Sequence, residues 1–134
     1  MKMNLCADLA GLRQGARNPN ASAATLERLV HDGDWQVRWA VATNPNVPTP
    51  VVDTLSRDAD EDVRWAVAEH VETPVTALEQ LAHDADWPIR RAVARNPHTT
   101  MATMQRLAHD GDSRVRTAAK FWLGDGAGIG AHSL

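Results

Sequence analysis

Residues 84–97 read DADWPIRRAVARNP, and this pattern returns at intervals of 26 residues along the chain. Its counterparts are DGDWQVRWAVATNP at 32–45, DADEDVRWAVAEHV at 58–71 and DGDSRVRTAAKFWL at 110–123. Each copy contains two aspartates, an arginine that directly follows an aliphatic residue, and an alanine-rich stretch. A fixed period of this length indicates a repeat protein in which each unit packs on its neighbours.

The repeat extends on both sides of this pattern. Four units follow one another without insertion or deletion, at residues 16–41, 42–67, 68–93 and 94–119. The first half of a unit, such as PVTALEQLAHD (74–84), spaces its apolar residues for one face of a helix. We expect Thr73 to be the N-cap and Pro74 the first helical residue.

The second half, such as DWQVRWAVATNP (34–45), predicts another short helix with a buried stripe of Val37, Ala40 and Val41. Asp34 is the expected N-cap, and Asn44-Pro45 is expected to end the helix, because a residue before proline avoids the α region. The third unit has His70-Val71 instead, so its helix either ends differently or runs on.

Some positions hold the same residue in all four units. We expect the arginines to form a ladder along the stack, bonding aspartates or backbone carbonyls of neighbouring units. The arginine series is Arg38, Arg64, Arg90 and Arg116; the aspartate series are Asp32, Asp58, Asp84 and Asp110, and Asp34, Asp60, Asp86 and Asp112.

The pattern D-x-D-x-x-V-R-x-A-V-A-x-N-P, followed by a Thr/Pro-rich link and L-x-x-L-A-x-D, resembles the leucine-rich repeat variant family. The resemblance covers the four units and implies an all-helical, right-handed solenoid with one α-helix and one shorter, 3₁₀-like helix per unit. Family members with an iron–sulfur segment carry several cysteines at the N-terminus, whereas this chain has only Cys6. The fold is therefore expected without the cluster.

The bulk properties narrow the function classes. The chain has 134 residues and a net charge of −3, which does not suit a protein that binds the phosphate backbone of a nucleic acid. No apolar stretch is long enough for a membrane helix, and the N-terminus does not resemble a secretory signal. We expect a cytoplasmic monomer with a capping helix at 1–15, the four repeats at 16–119, and a cap with a flexible tail at 120–134. Lys120, Phe121 and Trp122 are expected to cover the open end of the last unit.

No residue pattern indicates catalysis or a cofactor. The Asp-x-Asp pairs could bind a divalent metal, but capping and pairing with arginine explain them better, because all four units carry both aspartates. The histidines His31, His83 and His109 suit helix C-termini, and Cys6 suits a packed thiol. We find no nucleophile–base pair and no phosphate loop, and therefore expect no enzyme, no cofactor and no metal site.

The tryptophans are the feature that the repeat does not explain. With Val37 at the centre of the buried face, Trp35 and Trp39 lie about 160° and 200° around the helix. Stacking would align them with Trp65 and Trp87, either as an exposed binding surface or packed between helices. The predicted partner-binding residues are Trp35, Trp39, Glu61, Trp65, Trp87, Arg91 and Arg95.

The leading functional hypothesis is a non-catalytic module that binds a protein or peptide partner, with an inhibitor or immunity-type protein as one version. One alternative is a nucleic-acid-binding or HEAT-like glycosylase-type protein, which binding to DNA at low salt would support. Another is an accessory protein to metal-cluster biochemistry, which an iron-free purified protein would dismiss.

Overall fold

The computed structural model describes residues 5–124, and this part of the chain is all-helical, with nine α-helices and no strand. They are α1 Leu5–Arg17, α2 Ala23–Leu29, α3 Trp35–Ala42, α4 Thr49–Leu55, α5 Glu61–Glu69, α6 Val75–Leu81, α7 Trp87–Arg95, α8 Met101–Leu107 and α9 Ser113–Leu123. No helix in this range is long and apolar enough to cross a membrane.

The helices alternate between two kinds, and each kind begins at 26-residue intervals. The short helices α2, α4, α6 and α8 have 7 residues each. The long helices α3, α5, α7 and α9 have 8 to 11 residues. Both kinds are α-helical, so the 3₁₀-like helix implied by the family resemblance is absent from the described units.

Each long helix packs directly on the next, and α1 packs on α3 in the same way. The short helices pack against the long ones that flank them. The core between the two layers is aliphatic, with the repeated leucines and valines almost fully buried: Leu29, Leu55, Leu81 and Leu107 from the short helices, and Val37, Val63, Ile89 and Val115 from the long ones. No unit could bury this surface alone, so the core forms only by stacking.

The predicted arginine ladder is present, and its geometry joins successive units. Arg38 Nε donates to Asp58 Oδ2 at 2.7 Å, while its Nη1 donates to the backbone carbonyl of Asp32 at 2.8 Å. Arg64 and Arg90 repeat this arrangement with Asp84 and Asp110. Arg38, Arg64 and Arg90 thus each connect the turn of their own unit to the carboxylate of the next.

The second aspartate of each pair caps a long helix, as predicted, except in α7. Asp34 accepts from the backbone N–H of Gln36 at 2.7 Å, whereas the matching position in the first turn of α7 is Pro88, which has no N–H. The carboxylate of Asp86 accepts instead from Arg64 Nη2 at 2.9 Å.

The predicted N-cap at Thr73 is wrong. Pro74 occupies the N-cap position of α6, and the buried Thr73 hydroxyl donates to the backbone carbonyl of Val67 at 2.6 Å. Thr99 makes the same bond to Val93. The hydroxyl is used here as a second donor to a carbonyl at the end of the preceding long helix, which also accepts from the backbone N–H of His70, rather than as an acceptor for a free N–H at the start of the short helix.

An asparagine ladder, which we did not foresee, runs beside the arginine ladder. Asn44 is fully buried, and its Nδ2 donates to the carbonyls of Ala16 and Asn18 in the preceding unit. Asn96 donates likewise to Ala68 and His70. The sequence pattern had suggested only a helix stop at these residues.

His70 takes the place of asparagine in this ladder, and α5 ends in register with α7. Its Nε2 lies 2.8 Å from the carbonyl oxygen of Asn44, and its Nδ1 accepts from the backbone N–H of Glu72. With the proton on Nε2, the imidazole reproduces the donor and the acceptor of an asparagine amide.

Replacing His70 by asparagine should therefore change the free energy of unfolding by less than about 1 kcal/mol. His70→Ala should cost about 1–3 kcal/mol, because the Asn44 carbonyl loses its shorter bond and keeps only the one from the Val47 N–H at 3.3 Å. Urea titrations of both variants would check this, and equal losses for asparagine and alanine would contradict the proposed equivalence.

At the C-terminal end, the predicted cap is wrong in detail. Phe121 and Trp122 remain exposed, at 57% and 36%, and Lys120 is exposed as well. Leu123 packs against the core instead, and α9 ends at Gly124, whose φ of 81° suits glycine. The predicted tail beyond Gly124 and the side chains of Leu5, Cys6 and Leu9 lie outside the described residues.

At the N-terminal end, α1 continues to Arg17, two residues into the first predicted unit. Leu12, on this helix, packs against the core.

Candidate partner-binding surface

The first feature of the surface is a groove of 620 Å³ that crosses α1, α3 and α5. Its aromatic lining comes from Trp35, Trp39 and Trp65, and its polar lining includes Arg13, Arg17 and Asp62. The groove exists because positions 35, 39 and 65 fall on the sides of the long helices that the core leaves uncovered.

The tryptophans are not equally exposed. Trp35 and Trp65 expose 39% and 40% of their surface. Trp39 and Trp87 are half-buried and pack against the core. The sequence left open whether the tryptophans are exposed or packed between helices. In the structure, two are exposed and two are partly packed.

Two arginines lie over tryptophan rings. Arg114 Cζ is 3.5 Å from the ring centroid of Trp87, and Arg17 Cζ is 5.9 Å from that of Trp39. A cation over an aromatic face is held by the ring quadrupole. These contacts keep Trp87 covered on one side and place a charge at the rim of the groove.

A second groove, of 550 Å³, adjoins the first through Trp65. It lies between α5 and α7 and is lined by Glu61, Asp62, Asp86, Trp87 and Pro88. Arg91 and Arg95 line a third depression between α7 and α9, together with Arg114, Phe121 and Trp122. The seven predicted residues thus fall in three neighbouring depressions along the long helices.

Further residues that were not predicted to bind a partner also belong to this surface. Among them are Arg13, Asp62, Arg114 and Trp122. Arg13 occupies the position in α1 that Trp39 occupies in α3, and its Nη1 donates to Gln36 at 3.0 Å. Extending the repeat one unit toward the N-terminus would have revealed it.

The first aspartates of the pairs in the last three units are hydrogen-bonded within the stack. Asp58, Asp84 and Asp110 each hold a ladder arginine and also accept from the backbone N–H two residues later. Among residues 5–124 no group of three or more His, Cys, Asp or Glu side chains could hold a metal ion.

Two carboxylates near the third depression have lowered pKa values. The side-chain hydrogen bond from Arg114 is the main cause that lowers the pKa of Asp112 to about 2. Burial raises the pKa of Asp110, but hydrogen bonds from Arg90 and from the Asp112 N–H bring it below its ordinary value of 3.8. Both carboxylates therefore stay charged well into acid.

These shifts predict a loss of stability in acid. Because both pKa values are lower in the folded state, the stabilisation is present above pH 4 and is lost as the pH falls toward 2. The melting temperature should fall over this range, and less steeply in Asp112→Asn, which keeps a capping side chain. Thermal melts at stepped pH would check this; an unchanged slope in the variant would contradict it.

Comparison with known families bears directly on this repeat. A leucine rich repeat variant model matches residues 61–86. This segment is therefore similar to a leucine rich repeat variant unit, in agreement with the resemblance of its motif. No curated protein matches the chain.

The matched unit begins at Glu61, the first residue of α5, and ends at Asp86, the N-cap of α7. In this register the matched segment comprises the long helix α5, the short helix α6 and the following aspartate pair. The bonds from Arg64 to Asp84 and Asp86 then lie within one unit.

Proposed function

We propose that the chain is a non-catalytic protein-interaction module that binds a protein or peptide partner on the exposed face of its long helices. The observation that carries this proposal is the tryptophan-lined groove across α1, α3 and α5. We further propose that the helices form a right-handed solenoid of four repeats, with α1 as the N-terminal cap. A helical repeat stack suits binding because its rigid frame leaves the exposed positions free to vary.

Energetics favour an interaction role for Trp35 and Trp65. Exposed tryptophans lose solvent contact favourably when a partner covers them, and tryptophan and arginine dominate binding energies at interfaces. Neither indole is needed to fill the core, because the aliphatic residues of the two helix layers already fill it. Arg17, at the rim, adds a charged contact beside the aromatic floor.

The double variant Trp35→Ala/Trp65→Ala tests the proposal. A partner captured from the native host on the wild-type protein should bind the variant at least about 100-fold more weakly, since each anchor is worth about 2 kcal/mol. Met101→Ala is the matched control, because Met101 is also exposed but lies on a short helix. Capture that is equal on both proteins, or a double variant that unfolds, would defeat the proposal.

A further inference from the structure

The exposed charges on the long helices are sorted by helix. Every exposed ionisable residue of α5 is acidic: Glu61, Asp62 and Glu69. Every exposed ionisable residue of α7 is basic: Arg91 and Arg95. On α3, whose exposed large residue is Trp35, no exposed charge is present, and the described end of α1 presents Arg17.

The exposed acidic residues of α5, here called the acidic row, do not form ion pairs with the exposed basic residues of α7, the basic row. Although α5 and α7 pack side by side, none of these five residues forms an ion pair within residues 5–124. The charged heads point to solvent, where a partner could pair with them at little desolvation cost. By contrast, Arg64 and Arg90 on the same helices are engaged in the ladder.

From α1 to α7 the surface therefore runs basic, aromatic, acidic, basic. We propose that it takes an extended peptide segment of complementary order: acidic, apolar, basic, acidic. This inference rests on the proposed function and specifies the chemistry of the partner. The acidic row on α5 would repel the uniformly negative phosphate backbone of a nucleic acid, so this order of charges favours a peptide.

The spacing of the helices sets the spacing of the peptide residues. Packed helices lie about 8–10 Å apart, and an extended peptide in the polyproline II conformation advances about 3.1 Å per residue and repeats its side-chain direction every three residues. One step along the stack thus corresponds to about three peptide residues. The expected motif is acidic-x-x-apolar-x-x-basic-x-x-acidic, with the apolar side chain between Trp35, Trp39 and Trp65.

A display library of random 12-residue peptides would test this order. The library is selected in parallel on the wild-type protein, on Arg91→Glu/Arg95→Glu and on Trp35→Ala/Trp65→Ala, each shown to be folded by circular dichroism. Peptides enriched on the wild type should carry the motif in one chain direction. They should bind the charge-reversed variant about tenfold more weakly, and selection on that variant should replace the last acidic residue by a basic one.

The possible outcomes separate the two proposals. Peptides that need Trp35 and Trp65 but show no charge order, or bind the charge-reversed variant equally well, would overturn the inference and leave the proposed function standing. A selection that enriches nothing on the wild type over the tryptophan variant would overturn both.

Discussion

Replacing Arg64 by alanine should destabilise the protein by about 2–4 kcal/mol, because it breaks a largely buried charge network between successive units. Arg64 Nε and Nη2 bind the carboxylates of Asp84 and Asp86, and its Nη1 binds the Asp58 carbonyl at 2.7 Å. The side chains of Arg64 and Asp84 are only 18% and 8% exposed. The variant therefore leaves Asp84 charged, nearly buried and without its arginine.

The chain supplies its own control for this experiment. Arg116 is the same residue in the last unit, where it donates to the Asp110 carbonyl and, within the described residues, to no carboxylate. Arg116→Ala should cost only about 1 kcal/mol. Urea unfolding followed by circular dichroism would give both values. Losses that agree within about 0.5 kcal/mol would show that the inter-unit carboxylates contribute little.

Replacing Asn44 by aspartate should cost about 3–5 kcal/mol, although the two side chains have nearly the same shape. The Asn44 amide donates to Ala16 O at 2.6 Å and Asn18 O at 2.9 Å, and it is fully buried. An aspartate has no donor for these carbonyls, and its negative charge would face both of them.

The matched control is Asn20→Asp, which makes the same chemical change at an exposed position. It should alter the free energy of unfolding by less than about 0.5 kcal/mol. Thermal and urea unfolding would measure both variants. A small loss for Asn44→Asp would mean that the asparagine ladder is incidental to the stack.

The repeated residues made the frame predictable from sequence. The capping aspartate Asp34 and the aliphatic stripe around Val37 define the long helix of a unit, and the period of 26 residues repeats it along the chain. The arginine–aspartate ladder was also predictable, because residues present in every unit must meet their neighbours once the units stack. What remained open was which neighbouring unit supplies each partner.

Other features depend on three-dimensional detail that no periodicity encodes. Thr73 resembled an N-cap, yet its hydroxyl donates to the carbonyl of Val67 at the end of the preceding long helix. The conversion of Asp86 from cap to arginine partner follows from a single proline at position 88. The exposed fraction of each tryptophan could not be predicted, because it depends on how closely the ring packs against the neighbouring helix.

The most direct test of the interaction surface is the response of the indole N–H signals in a ¹⁵N-resolved NMR spectrum. The protein has five tryptophans, and each indole can be assigned by single substitution. On adding a peptide selected on the wild-type protein, the signals of Trp35, Trp39 and Trp65 should shift most, while that of Trp122, in the depression between α7 and α9, should shift less. Shifts that are largest at Trp122, or absent from all three groove tryptophans, would contradict the account.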